Sequence, residues 1–207
     1  MTSFDRRGHW QGVYSAKAET ELSWFQATPA PSLDLLRLAG AGKESALIDI
    51  GGGASVLVDY LLAEGFCDLT VLDLSQTALD RTRARLGEAG VRVALIAGDA
   101  TEWTPPRTYD VWHDRAAFHF LTEAADRAAY MERLCRALRV GGAAIFGAFA
   151  LDGPEKCSGL PVMRHDAASL AAELGPGFEL LDQRRHDHRT PGGATQKFQF
   201  STFRRVA

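Results

Sequence analysis

The chain has 207 residues and a mass of 22.5 kDa, room for one α/β domain with a short extension but not for two full domains. Its 46% hydrophobic and 24% charged residues exclude a disordered or fibrous chain, and a net charge of −3 excludes a globally basic nucleic-acid binder. No run nears the ~20 apolar residues of a membrane span, MTSFDRRGHWQG lacks the apolar core of a secretory leader, and Cys67, Cys135 and Cys157 lack the CxxC spacing of a zinc site or disulfide framework. These features predict a cytoplasmic protein with no bound metal.

Residues 1–42, with HWQGVY, ETELSWF and SLDLLRLAG, read as a helical extension ahead of a domain over 43–207. ALIDIGGG, Ala46 to Gly53, predicts a first strand running into a glycine loop. Val56, Leu57, Tyr60 and Leu61 lie at helix-face spacing and predict a helix over Ser55–Glu64. LTVLDLS predicts a second strand over Leu69–Ser75, and Ala78, Leu79, Thr82 and Leu86 predict a helix ending near Gly87–Gly90. A third strand is expected over Val91–Ala97 and a fourth from Tyr109 to about His113. The next helix, from about Glu123 to Leu138, should stop at Gly141–Gly142, ahead of a fifth strand over Ala143–Phe149.

Beyond Ala150 the pattern changes. A loop to about Arg164 leads to a helix over Asp166–Leu174, closed by the breaker GPG. Phe178–Arg185 and Gln196–Arg204 then read as strands with no helix between them, and must pair as an antiparallel hairpin. Strands alternating with helices before that point predict a parallel α/β sheet built from βαβ units.

In open α/β sheets ligands bind beyond the strand C-termini, where the first strand meets the switch in strand order. IDIGGGAS sits there. Gly51 and Gly53 fit the start of G-x-G-x-x-G, but Val56 stands where the third glycine of a dinucleotide site belongs, and no GK[ST] follows. A ligand without phosphates fits better than NAD or ATP. Asp73, at the end of the second strand, is placed to accept from both hydroxyls of a ribose; capping the next helix is the alternative, although Ser75 can do that. Asp99, in GDATEW after the third strand, can accept from an adenine amino group, with Ala100 beside it leaving room.

With these residues in order, the chain resembles the class I S-adenosylmethionine-dependent methyltransferases. The likeness spans about 43–205 and rests on IDIGGGAS, VLDLS, GDATEW, YDVWHDRAAFHFL, LRVGGAAIF and the terminal hairpin. HWQGVYSAKAETELSWF is similar to the extension of the branch holding thiopurine-methyltransferase-like proteins and elongation-factor-1A lysine methyltransferases. The resemblance implies a Rossmann-like fold, a seven-stranded mostly parallel sheet with a C-terminal antiparallel β-hairpin, and S-adenosyl-L-methionine as cofactor. It implies that Asp49, Gly51, Gly52, Gly53, Asp73 and Leu74 bind the cofactor, together with Asp99, Ala100 and His113. It also makes Trp10, Tyr14 and Trp24 a lid whose aromatic faces attract a sulfonium; simple packing of the extension is the alternative. The run WHDRAAFHFL lacks the Asn-Pro-Pro-Tyr motif of many amino-group methyltransferases.

Parallel topology puts the loops after strands four to six on one face. His113, His119, His165, His186 and His188 are all expected there, and histidine is suited to taking a proton near neutral pH. His119 and His188 are candidate bases. Asp114 is a candidate to orient a base or hold the cofactor amino group, or to pair with Arg115. The acceptor is expected to be a small molecule. The alternatives are a protein lysine, held in an acidic groove of Glu19, Glu21, Asp114, Asp152 and Glu155, or cofactor binding without turnover. Neither nucleic acid nor membrane is expected as a partner, and the oligomeric state is not readable.

Overall fold

The computed structural model describes residues 4–207, so the very start of the extension and of the leader reading lies outside them. Helix α1 (Arg6–Ala16) and α2 (Ala30–Leu38) precede β1 (Leu47–Ile50). Then follow α3 (Leu57–Ala63), β2 (Leu69–Asp73), α4 (Gln76–Leu86), β3 (Val93–Ala97), β4 (Tyr109–Arg115) and α5 (Ala124–Ala137). The chain ends with β5 (Leu138–Phe149), a small hairpin of β6 (Lys156–Cys157) and β7 (Leu160–Pro161), α6 (Ala167–Leu174), β8 (Phe178–Arg189) and β9 (Thr195–Arg205).

Seven strands form one sheet in the order β3-β2-β1-β4-β5-β9-β8. β1, β2, β3, β4 and β5 are parallel; β9 runs antiparallel to both neighbours. This is the expected α/β fold with its terminal hairpin. Strand alternation sends Leu47, Val71, Val111 and Ile145 to one face, where Leu35, Leu36, Leu57 and Leu61 of α2 and α3 cover them. Ile48, Ile50, Leu72, Trp112 and Phe146 point to the other face, against Tyr130 and Leu134 of α5 and Leu170 of α6. Both faces are therefore apolar, as a parallel sheet between two helix layers requires.

Caps explain most helix limits. Ser75 Oγ accepts from Ala78 N at 3.2 Å to start α4, and Gly87, at φ 55°, ends it. Asp166 and Ser169 form a capping box on α6, which stops at Gly175, φ 75°. One expectation is corrected. Gly141–Gly142 does not stop α5; the helix ends at Ala137, because Leu138 is already extended and pairs with Tyr109 as the first residue of β5. The glycine pair lies inside the strand. β8 also runs four residues past its expected end at Arg185, so His186 and His188 belong to a strand and not to the connecting loop.

The switch in strand order falls between β1 and β4. β1 is flanked by β2 on one side and β4 on the other, which opens a crevice beyond their C-terminal ends.

Candidate functional site

The crevice holds a cavity of about 810 Å³, counting its open mouth, lined on one side by Gly51, Asp73, Leu74, Asp99 and Ala100. Gly51 follows β1 with φ 66°, and a Cβ there would lie 2.6 Å from that of Ala117, so only glycine lets β1 turn away at this point. At Gly53 a Cβ would lie 2.5 Å from Asp73 Oδ2. The loop thus carries its backbone against the acid that ends β2.

Asp73 is buried. Its Oδ1 accepts from Ser75 N at 2.7 Å, and the backbone of Gly53 also donates to it. Burial raises its carboxyl to about 7, with these N–H donors working the other way and Asp49 adding repulsion. Asp99 repeats the turn: Oδ1 accepts from Thr101 N at 2.8 Å and from Thr101 Oγ1 at 2.7 Å. Its Oδ2 pairs with Arg6 of α1 at 3.1 Å. Asp73 does not cap α4; Ser75 does, as read from the sequence.

The opposite wall is aromatic. Trp10, Tyr14, Trp24 and Phe120 meet at centroid distances of 4.9–6.4 Å, mostly edge to face. Helix α1 is fixed over the crevice at its start and its middle: Arg6 reaches Asp99 and Asp126, and Gln11 Oε1 accepts from Ser75 Oγ at 2.5 Å and Thr77 N at 3.0 Å. Its floor toward β4 is Arg115, Ala116, Tyr130 and the buried Cys157, whose thiol burial pushes up to about 11.

Arg115 is held by Trp24 O and, at 2.9 Å, by Gln26 Oε1; among the described residues it makes no ion pair. Burial lowers it to about 10, opposed by the charge of Asp49. The expected alternative of an Asp114–Arg115 pair is corrected, because consecutive strand residues point to opposite faces. That period of two was the signal available in the sequence. Asp114 instead turns inward, accepting from Ala117 N, Phe118 N and Tyr130 Oη at 3.0, 3.0 and 2.6 Å. Burial raises it to about 6. These bonds hold the turn in which Ala116 adopts φ 66°, a strained value for a side chain with a Cβ. Asp114 does not line the cavity and is corrected from a base-orienting group to a turn-holding one.

The candidate bases are also corrected. His119 is fully buried, with Nδ1 accepting from Phe149 N at 3.3 Å, and burial drives it down to about 3. His188 points from β8 to Ser23 O, at 2.8 Å. Neither lines the main cavity. His165 is buried in the α5–α6 layer beside Phe118, and His186 stacks edge-on to Phe200. The common face holds the strand ends but not the rings, because each side chain follows the pleat or the turn it sits on.

A second, smaller cavity shares Tyr14, Trp24, Gly51 and Arg115 with the first and reaches Asp49, Gly52 and His113. The sequence reading missed Arg6, Phe120 and Tyr130 in the main cavity. Tyr130 reads as helix core by its spacing, and Arg6 carries no local signal. The five acids of the expected lysine groove do not gather. Glu19 pairs with Arg85, Asp152 with Arg185 and Lys197, Glu155 with Arg164; Glu21 accepts from Ala18 N, and Asp114 is buried. Among the described residues, no three His, Cys, Asp or Glu side chains form a metal-holding group, and no helix is long and apolar enough to cross a membrane.

Residues 47–142 match the family described as a methyltransferase domain. No curated protein matches the chain significantly. Solved structures do. A methyltransferase from Anabaena variabilis described as S-adenosylmethionine-dependent superposes with a TM-score of 0.76 at 16% identity, covering 98% of this chain and 96% of that one. The N-methyltransferase NodS from Bradyrhizobium japonicum, in complex with S-adenosylhomocysteine, gives 0.74 at 15% identity, with 98% and 100% covered. The 1,6-didemethyltoxoflavin-N1-methyltransferase of Burkholderia thailandensis gives 0.69 at 21%, covering 97% and 84%. At these identities the superpositions speak to the fold. The matched methyltransferase domain lies within that shared fold, so the chain carries the fold of the S-adenosylmethionine-dependent methyltransferases; its placement in one branch of them does not follow.

Proposed function

We propose that this methyltransferase transfers a methyl group from S-adenosyl-L-methionine to a small-molecule acceptor inside the aromatic-walled cavity. The observation that carries the reading is the pair of acids at the ends of adjacent strands: Asp73 and Asp99 face one cavity, beside a glycine loop free of phosphate-binding sequence. Asp73 suits the ribose hydroxyls. Asp99 would share Oδ2 between Arg6 and an adenine amino group. Asp49 and Arg115, an acid and a base across the second cavity, complement the ammonium and carboxylate of the amino-acid end. Leu74, Ala100 and the loop glycines supply close-fitting backbone around the nucleoside.

When bound, the cofactor supplies an electrophilic methyl on a good leaving group. The protein's task is then to align the acceptor and exclude water. Trp10, Tyr14, Trp24 and Phe120 do this on the lid side. Tyr14 is held well above its ordinary pKa by burial and by Asp73, and Cys157 stays a thiol, so neither is a ready base. An acceptor that brings its own lone pair, a thiolate or a neutral heteroaromatic nitrogen, suits this wall. Arg115, with no carboxylate partner among the described residues, favours an acceptor or cofactor group bearing negative charge.

The test has two arms. S-adenosylhomocysteine should raise the melting temperature where NADH and ATP do nothing; equal stabilisation by NADH would sink the reading. Mass spectrometry across thiols, heteroaromatic amines, carboxylates and lysine peptides should find a gain of one methyl among the small molecules, and a gain on peptides alone would replace the proposed acceptor class.

A further inference from the structure

Beneath the glycine loop lies a polar chain of which only the terminal carboxylate has a part in the proposal so far. Asp49 of β1 and His113 of β4 are register partners on neighbouring strands. They share the sheet face otherwise formed by Leu47, Val71, Val111 and Ile145. His113 Nδ1 lies 2.6 Å from Asp49 Oδ1, and Nε2 lies 2.9 Å from Ser32 Oγ in the first turn of α2. Ser32, His113 and Asp49 are 1%, 2% and 4% exposed. Polar groups buried so deeply are costly unless each finds a partner. Here each does.

The chain has a direction. In the tautomer with the His113 proton on Nδ1, the ring donates to the Asp49 carboxylate. Nε2 is then the acceptor, and the Ser32 hydroxyl donates to it. With Oδ1 fixed in this way, Oδ2 lies tight beneath Gly52, where a Cβ would collide with it. The carboxylate has one orientation, and it borders the second cavity opposite Arg115.

We propose that Ser32 and His113 are positioning residues, which hold the Asp49 carboxylate against the glycine loop and thereby set the affinity for the amino-acid end of the cofactor. The proposal rests on the placement of that end at Asp49 and Arg115. Ser32 enters from α2, outside the matched domain, so the extension contributes to the site from below as well as from above.

Calorimetry with two ligands separates positioning from general packing. S-adenosylhomocysteine carries the amino-acid end, and 5′-methylthioadenosine lacks it. Ser32→Ala should weaken the first about fivefold, the scale of one hydrogen bond, and leave the second unchanged. Ser32→Thr, which keeps the hydroxyl, should restore most of the loss. His113→Leu, which removes both bonds, should lose more, again for S-adenosylhomocysteine alone. Equal losses for both ligands, or none for either, would overturn the proposal. If Ser32→Ala lacks a cooperative melt, Ser32→Cys, which leaves no cavity and puts a weaker donor in place, carries the same expectation. Failure of the wild-type protein to bind either ligand would instead reject the cofactor reading beneath it.

Discussion

At the ends of β2 and β3 the cavity wall is made by two turns of the same kind. Asp73 accepts from the N–H of Ser75, and Asp99 from the N–H of Thr101, each two residues on. Beyond β4 the wall is made differently. Arg115 is held by Trp24 and Gln26, about ninety residues earlier in the chain. Trp10 lies 4.9 Å from Phe120 across a similar gap. The first side is built by local bonds and the second by chain segments that meet only on folding. Residue type and spacing therefore locate the acid-lined side of the cavity, while the aromatic side depends on which surfaces dock.

The comparison breaks most visibly at Asp73. Asp73→Ala should weaken S-adenosylhomocysteine binding about 10- to 100-fold, the scale of losing hydrogen bonds to a charged group; calorimetry showing an unchanged affinity would place the ribose elsewhere. Because burial raises this carboxyl to about 7, the native state holds its proton over a range where the unfolded chain has released it. The contribution of Asp73 to stability without ligand should fall as pH rises from about 4 to 7. Asp73→Asn should therefore melt higher than wild type at pH 8 while binding less tightly.

The docked side is tested at Trp10. Trp10→Ala removes one face of the aromatic wall, and S-adenosylmethionine should bind about 2- to 30-fold more weakly, the range of a cation–π contact. The loss for 5′-methylthioadenosine, which has no sulfonium charge, should be smaller. Equal losses would mean that the ring only packs α1.

A smaller effect is expected from the buried histidines. Burial drives His119 to about 3 and His165 to about 4, so both stay neutral in the native state while the unfolded chain takes up protons below about pH 6.5. Their contribution to stability should drop as pH falls from 6.5 toward 4, against the rise that Asp73 gives, so the two are separated by comparing the variants. His119→Gln should flatten that drop and leave the pH profile of methyl transfer unmoved; a lost limb in the transfer profile would return His119 to catalysis. The smallest change is Ala116→Gly, which relieves the strained φ of the turn after β4. It should shift stability by less than about 1 kcal/mol in either direction, since lost strain is offset by unfolded-state entropy.

The sequence by itself determined the βαβ order, the terminal hairpin, the glycine loop and the acids at the strand ends. Each depends on periodicity, a cap or a turn spanning a few residues, and such interactions survive translation into structure. It placed Trp10, Tyr14 and Trp24 over the cavity through a resemblance, and the structure gives the cause in the Arg6–Asp99 and Gln11–Ser75 contacts. Only the tertiary structure decided what the polar residues of β4 do. His113, Asp114 and Arg115 are consecutive, yet one points to Asp49, one into a turn and one to the cavity. Strand alternation fixes only that Asp114 faces away from the other two; the partners they meet come from β1, α5 and the extension. A side chain's chemistry is written at its own position, but its burial and its hydrogen-bond partner belong to whatever part of the chain folds against it.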